Sequence, residues 1–381
     1  MRVLVVGCGN IGSAAADDLA KNTSHEVTVA DNDRTRAKIV AENIGTDNTS
    51  WIQLDVANHD QLIQTLRSFD LVMGFLPGKL GNRFIEACID AEKDLVDVSY
   101  MAENPLALNE RAKKAGVAIV PDCGLAPGIS NVLVGHATKQ MNKINAIHLM
   151  VGGLPEKPVP PLGYTITWSP ESLIDEYTRK AGIVKEGVKK EIEALSGLEE
   201  IEIPKVGKLE AFYTDGLRTL LYTITGVDDM WEKTLRYPGH VEKIKTLKTL
   251  GLFDEKQVDV GGLKVAPRKL TAKLLGQKLR MPKVKDIVVL EVNVQGIKNG
   301  RKTVLSYHIL DYFDRKRGIT AMARTTAYPA SIIAQLMLKK SIRETGIVAP
   351  ERIGMKEELF DTFINELGKR GIRVVEETTI D

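Results

Sequence analysis

Arg2–Val6 (RVLVV) is a continuous apolar, β-branched run, the pattern of a strand buried on both faces. It leads straight into Gly7-Cys8-Gly9-Asn10-Ile11-Gly12. Ser13–Lys21 then reads as a helix with Ala14, Ala15, Leu19 and Ala20 turned mostly inward. A second strand, Glu26–Ala30, ends at Asp31, 19 residues past Gly12. This order of strand, spaced glycines, helix, strand and acid predicts a dinucleotide-binding βαβ unit. Gly7 allows the tight turn, Gly9 lets backbone approach a pyrophosphate, and Gly12 lets helix and strand pack closely. Asn10 and Ile11 open the helix, whose amide N–H groups and partial positive charge face the phosphates.

Asp31 points to NAD as the cofactor. Its carboxylate can accept hydrogen bonds from both adenosine ribose hydroxyls, and it repels a 2′-phosphate. Asn32 follows it at the same strand end, while Arg34 and Arg36 are the kind of residue that accommodates NADP. Arg34 can alternatively lie over the adenine face. Ligands of open α/β sheets lie beyond the carboxyl ends of the strands. That places Asp55 and Val56 near adenine, and Leu76, Pro77, Ser99 and Tyr100 near the nicotinamide ribose.

Further strands at Trp51–Leu54, Leu71–Phe75, Leu95–Val98 and Val117–Pro121 alternate with helices at Arg34–Asn43, His59–Ser68, Asn82–Glu92 and Pro105–Lys114. Such alternation predicts an α/β fold, a doubly wound parallel Rossmann sheet. The pattern changes near residue 125. Pro127–Gln140 reads as a helix leading out of the sheet, and Gly153–Gly163 as a Pro-rich linker or surface loop. Ala146–Gly152, Ile201–Ile203, Lys208–Tyr213, Thr219–Thr225, Ile287–Gly296 and Thr303–Asp311 read as strands with hairpin-like spacing, a second, mostly antiparallel α+β domain. Ala327–Leu338 and Lys356–Lys369 read as helices and Arg373–Glu377 as a short strand. The expected division is residues 1–125 for the nucleotide, 126–322 for substrate and dimerisation, and 323–381 returning to the first domain.

The 381 residues carry a formal net charge of only +2, which gives no pull toward nucleic acid or an anionic membrane. Charge runs such as Lys185–Lys190 read as solvated helix faces. Three cysteines without paired spacing argue against a disulfide framework and for a reducing cytoplasm. No signal peptide and no membrane span are expected. None of the six histidines falls at metal-ligand spacing, so no metal site is expected.

Beyond the glycine motif, several longer strings carry a resemblance. They are Asp97-Val98-Ser99-Tyr100, Pro121-Asp122-Cys123-Gly124-Leu125-Ala126-Pro127-Gly128, Gly152-Gly153-Leu154-Pro155, Tyr164-Thr165-Ile166-Thr167-Trp168-Ser169-Pro170, Asp215-Gly216-Leu217-Arg218, Thr234-Leu235-Arg236-Tyr237-Pro238-Gly239-His240 and Met322-Ala323-Arg324-Thr325-Thr326. Together they resemble the saccharopine dehydrogenase superfamily, and over nearly the whole length its lysine 6-dehydrogenase branch. The saccharopine-reducing branch usually has aspartate where this chain has Ala126.

The resemblance implies oxidative deamination of the L-lysine ε-amine with NAD, release of ammonia, and closure of the semialdehyde to Δ1-piperideine-6-carboxylate. It also implies a homodimer through the middle-domain sheet. The alternatives are a saccharopine or carboxynorspermidine dehydrogenase acting on a secondary amine, or a non-catalytic NAD-binding protein on the same fold. An ε-ammonium has a reference pKa near ~10.4, so a group must take its proton before hydride leaves. Asp122 and Tyr100, at strand ends, are the candidate bases or water activators, and His240, after a Pro-Gly turn, is a third. Arg218 and Arg236 are candidate carboxylate clamps. Tyr164 and Trp168 would wall the aliphatic chain, and Asp215 would hold the α-ammonium. Each also admits a purely structural role.

Overall fold

The computed structural model describes residues 1–380. The chain divides into two compact units, Met1–Lys139 with Ala323–Arg373, and Gln140–Met322 with the residues from Val374 onward. The first segment runs β1 (Arg2–Val6), α1 (Asn10–Asn22), β2 (Glu26–Asp31), α2 (Arg34–Ile44), β3 (Thr49–Gln53) and α3 (His59–Leu66). It continues with β4 (Leu71–Gly74), α4 (Gly78–Asp90), β5 (Asp94–Asp97), α5 (Asn109–Ala115), β6 (Ala118–Val120) and α6 (Ile129–Gln140). The middle segment begins with β7 (Lys143–Pro155), α7 (Pro170–Thr178), β8 (Ala181–Lys185), β9 (Val188–Ile192), β10 (Glu199–Ile203) and β11 (Gly207–Tyr213). Then come α8 (Leu220–Thr223), β12 (Asp229–Arg236), α9 (His240–Thr249), β13 (Val258–Val260), β14 (Leu263–Val265), α10 (Pro267–Leu279), β15 (Asp286–Lys298) and β16 (Arg301–Tyr312). The last segment holds α11 (Ala321–Leu338), β17 (Gly346–Ile347), α12 (Pro350–Gly354), α13 (Glu357–Lys369) and β18 (Val375–Ile380).

The first unit is built on a seven-stranded parallel sheet in the order β17-β6-β5-β4-β1-β2-β3. β1 lies between β2 and β4, so the strand order reverses there and the turn after β1 opens at the ligand crevice of such sheets. Leu4, Val6, Val72, Phe84, Cys88 and Leu95 belong to its buried core. Asp33 caps α2 by accepting from the amides of Thr35 and Arg36, and Gly45 ends it with φ +66°. The returning segment is tied down at Asp18 on α1. Arg370 donates through Nε to both of its carboxylate oxygens, at 2.8 and 2.9 Å, and Ser331 Oγ donates at 2.7 Å.

The second unit is built on a mixed sheet ordered β10-β11-β12-β7-β15-β16-β18, with β8 and β9 attached beside β12. β7 and β12 run parallel, and the remaining pairs are antiparallel. One core cluster gathers Tyr164, Leu173, Ile174, Tyr177, Phe212 and Val241. Another gathers Leu154, Leu209, Leu235 and Val289. This is the α/β class expected, a parallel Rossmann sheet with a second domain on a mixed sheet.

Several local expectations need correction. Thr219–Thr225 is not a strand; its centre is the short helix α8. The Lys185–Lys190 charge run lies on a hairpin, not on a helix. Gly153–Pro155 ends β7, so the Pro-rich loop starts later. The charged pattern of Asp229–Arg236 does not announce a strand, yet it forms β12. Residues 323–381 are not one returning body, because β18 pairs with β16 in the second unit. Among the described residues, no helix is long and apolar enough to cross a membrane.

Candidate functional site

The turn after β1 has the shape a dinucleotide requires. Gly7 sits at φ +102°, where an added Cβ would collide with the backbone of Phe75. A Cβ on Gly12 would overlap the carbonyl oxygen of Gly7, so helix and turn touch only because that side chain is missing. A Cβ on Gly9 meets nothing within 4 Å. Gly9 is the N-cap of α1, and no side chain caps that helix end. Open space before free helix amides is the cradle a pyrophosphate fills. Asn10 is exposed and Ile11 half-buried at this helix start.

Asp31 is buried at the end of β2 and braces the turn. Its Oδ2 accepts from the Cys8 amide at 2.8 Å and its Oδ1 from the Asp33 amide at 2.9 Å. Burial, with the Asp31 charge beside it, pushes the Cys8 thiol up to about 12, so it stays a neutral thiol. Asn32 is exposed, and Arg34 stacks 5.6 Å from the Trp51 ring centroid. Asp55 is exposed and Val56 half-buried just beyond β3.

Beyond β4, Leu76 and Pro77 lead into α4. Beyond β5, buried Asp97 accepts from the Ser99 amide and hydroxyl, both at 2.9 Å. A Cβ on Gly78 would overlap the Tyr100 carbonyl, so α4 begins against that loop. Asp122 follows β6, is buried, and holds φ +55°. A left-handed conformation at a non-glycine residue is strained backbone of the kind concentrated at functional sites. Asp122 and Tyr100 thus both belong to the carboxyl ends of strands in the first unit.

The second unit brings together most of the other candidates. Trp168 Nε1 donates to the Tyr164 hydroxyl at 3.0 Å. The Arg236 guanidinium lies 4.6 Å from the Tyr164 ring centroid. It also donates at 2.7 Å to Glu176 of α7, whose other oxygen accepts from Thr234 at 3.0 Å. Asp215 pairs with Arg179 at 3.4 Å. Arg218 is buried at φ +52° in the loop between β11 and α8.

His240 does not titrate near neutrality. Burial first, and the Arg236 charge second, depress its pKa to about 3. Nδ1 donates to the Leu162 carbonyl at 2.9 Å, which leaves Nε2 to accept from the Tyr177 hydroxyl at 2.9 Å. It is a neutral, doubly held ring that fixes Tyr177, and the expectation of a proton carrier here is corrected. Arg236 likewise already carries an internal carboxylate.

Two residues were missed in the sequence. Glu176 is one. Glu232 on β12 is the other, fully enclosed and accepting from Thr214 Oγ1 at 2.7 Å. Burial, with Glu176 and Asp215 nearby, pushes its carboxyl up to about 8. Gly216 makes room for it. Its neighbours Asp215 and Gly216 were in view, but recognising Glu232 required recognising β12.

The family comparisons agree with this geometry. Residues 3–120 match the saccharopine dehydrogenase NADP binding domain and residues 124–372 the saccharopine dehydrogenase C-terminal domain. The chain belongs to the saccharopine dehydrogenase family. This saccharopine dehydrogenase-family chain is 24% identical, over 98% of its length, to the alpha-aminoadipic semialdehyde synthase of Arabidopsis thaliana, of which it spans 44%. It is 24% identical to the NADP(+), L-glutamate-forming saccharopine dehydrogenase of Saccharomyces cerevisiae, covering 99% of each. It is 21% identical to the carboxyaminopropylagmatine dehydrogenase of Synechocystis, covering 97% of this chain and 96% of that one. The apo structure of the Saccharomyces cerevisiae saccharopine dehydrogenase superposes with a TM-score of 0.80 over 99% of both chains at 22% identity, a likeness of fold. Membership of this family makes the chain an oxidoreductase with a pyridine-nucleotide domain.

Proposed function

We propose that this enzyme oxidises the ε-amine of L-lysine with NAD. Water replaces nitrogen at Cε, ammonia leaves, and the 2-aminoadipate semialdehyde closes to Δ1-piperideine-6-carboxylate. The nicotinamide, when bound, accepts the hydride from Cε. The chain supplies the rest. Asp122, or Tyr100 at the neighbouring strand end, takes the ε-ammonium proton, releases it to solvent, and in its deprotonated form then takes a proton from the attacking water and returns it to the nitrogen that leaves as ammonia. Arg218 holds the α-carboxylate, and Tyr164 with Trp168 walls the methylenes.

The observation that carries the reading is Glu232. Arg236 is paired to Glu176, and Glu232, enclosed and held by Thr214 with the Glu176 and Asp215 charges nearby, stays protonated until about pH 8. An enclosed carboxyl that ionises only when a cation arrives favours a ligand rich in ammonium. Lysine brings two ammonium groups and one carboxylate. A carboxylate-rich secondary amine would worsen the repulsion. NAD is preferred to NADP in this reading because the Asp31 carboxylate at the end of β2 would repel a 2′-phosphate.

The competing reading is a secondary-amine dehydrogenase, favoured by the names of the fungal and cyanobacterial relatives. Absorbance at the reduced-nicotinamide band separates the two. It should rise with lysine and NAD alone. A rise only with saccharopine or a carboxylated polyamine overturns the proposal.

A further inference from the structure

Three short contacts inside the second unit form a chain. Glu232 Oε1 and Thr214 Oγ1 are 2.7 Å apart, Thr214 Oγ1 and Thr234 Oγ1 2.8 Å, and Thr234 Oγ1 and Glu176 Oε1 3.0 Å. Each contact needs one hydrogen, and the two hydroxyls supply two. With both carboxyls ionised, one contact is left as two facing lone pairs. Arg236 keeps Glu176 ionised by donating to its other oxygen at 2.7 Å. The third hydrogen therefore belongs to Glu232. Ionised, Glu232 accepts from Thr214. Protonated, it donates to Thr214, Thr214 to Thr234 and Thr234 to Glu176, and all three contacts are filled.

The charges of this interior agree. Glu176 is matched by Arg236, and Asp215 by Arg179 at 3.4 Å. Glu232 forms no ion pair among the described residues, and Oε1 is its one engaged side-chain oxygen. Oε2 lies in the gap beside Gly216, 0.9 Å from where a side chain there would begin. Arg218, which holds the α-carboxylate in the proposed function, is two residues further along the same loop, at most about 7 Å between Cα atoms. The ammonium and carboxylate of an amino acid share one carbon, so the groups that read them must be neighbours.

We propose that Glu232 holds the α-ammonium of the substrate at Oε2 and releases its own proton to solvent as the ammonium arrives. This rests on the lysine reading of the site, and it assigns the residue that tells lysine from an amine without an α-amino group. Burial disfavours the bare carboxylate, so the proton leaves only in exchange for a cation. The interior stays neutral throughout, first as a carboxylic acid and then as a carboxylate–ammonium pair. An amine lacking the α-ammonium leaves Glu232 protonated and releases nothing there.

Calorimetric titration of the enzyme with NADH bound, which permits no oxidation of lysine, counts the protons. Near neutral pH, in two buffers of different ionisation heat, lysine should release about one proton per site more than 6-aminohexanoate. That compound keeps the ε-amine and the carboxylate and lacks the α-amine, so any proton lost from the ε-amine cancels, and the comparison needs no variant. Glu232→Gln, of the same size, should abolish the difference. It should also lower the preference for lysine over 6-aminohexanoate, read as the ratio of kcat/KM with NAD, by about 30-fold or more. Equal proton release by both amines overturns the assignment. So does an unchanged preference in a Glu232→Gln protein that still oxidises lysine, and in that case the proposed function stands. Failure of the unaltered protein to oxidise lysine at all overturns both.

Discussion

Gly216 lies where a side chain would overlap Oε2 of Glu232. The glycine is the space into which that buried carboxyl fits. Gly216→Ala should therefore destabilise the protein by about 1–3 kcal/mol through overpacking. The cost should shrink when Glu232→Ala is added. Chemical denaturation of the four proteins in the cycle measures the coupling, expected above about 1 kcal/mol. Additive effects would mean that the loop moves freely.

Glu232 and His240 shift the pH dependence of stability in opposite senses. The folded pKa of Glu232 is raised to about 8, so its favourable contribution is complete below its unfolded value and lost as pH rises through about 8. Glu232→Gln should flatten the alkaline decline. The folded pKa of His240 is depressed to about 3, so its contribution is present above its unfolded value near 6.5 and lost as pH falls toward 3. His240→Gln should make the protein less sensitive to acid while leaving the neutral-pH activity profile in place. Thermal melts across pH 4–9 (roughly the span of both shifts) read out both.

Arg236 and Arg218 should separate stability from recognition. Removing the buried Arg236 leaves the half-buried Glu176 without its cation, so Arg236→Ala should cost about 3 kcal/mol of stability. Arg218→Ala, at a buried position with φ +52°, is assayed on the folded fraction. It should lower kcat/KM for lysine by roughly 30-fold to several thousand-fold, with NAD affinity little changed and less discrimination against cadaverine. Retained lysine turnover in Arg218→Ala would remove this residue as the carboxylate clamp.

Asp31 is the residue that tests the proposed nucleotide preference. NAD should bind better than NADP, and Asp31→Ala should narrow the gap, although it also releases the Cys8 amide and so weakens both. Equal turnover with NADP in the unaltered protein would sink this prediction.

Arg370 tests the closure of the first unit. Arg370→Ala should cost about 3–5 kcal/mol because Asp18 would remain buried and uncompensated. Adding Asp18→Asn should recover part of that loss. Urea midpoints of the three proteins measure it.

The βαβ start was legible because its signal is doubly local, an apolar run followed by glycines at fixed spacing. The alternation through β6 was legible for the same reason. β12 was not, because Glu232, Lys233 and Arg236 are charged and yet buried. A pattern reading sends such residues to the surface, and here a polar network inside the second unit holds them. Lys185–Lys190 looked like a helix face, but Glu186 at φ +55° and Gly187 at φ +75° make the tight turn between β8 and β9. Thr219–Thr225 has the β-branched composition of a strand. Burial of Leu220 and Leu221 after the left-handed Arg218 curls it into a turn of helix instead. Of the candidate site, the nucleotide half could be read directly. In the amine half the aromatic and arginine positions were visible and their carboxylate partners were not.

β17 completes the first sheet from Gly346–Ile347, and β18 completes the second from Val375–Ile380. A chain emerging from the ribosome therefore cannot finish its first unit before it starts its second. At about 5–20 residues per second, β6 waits many seconds for its outer neighbour and Asp18 waits longer still for Arg370. Vectorial synthesis leaves each nascent sheet with a bare strand edge until β17 and β18 have emerged.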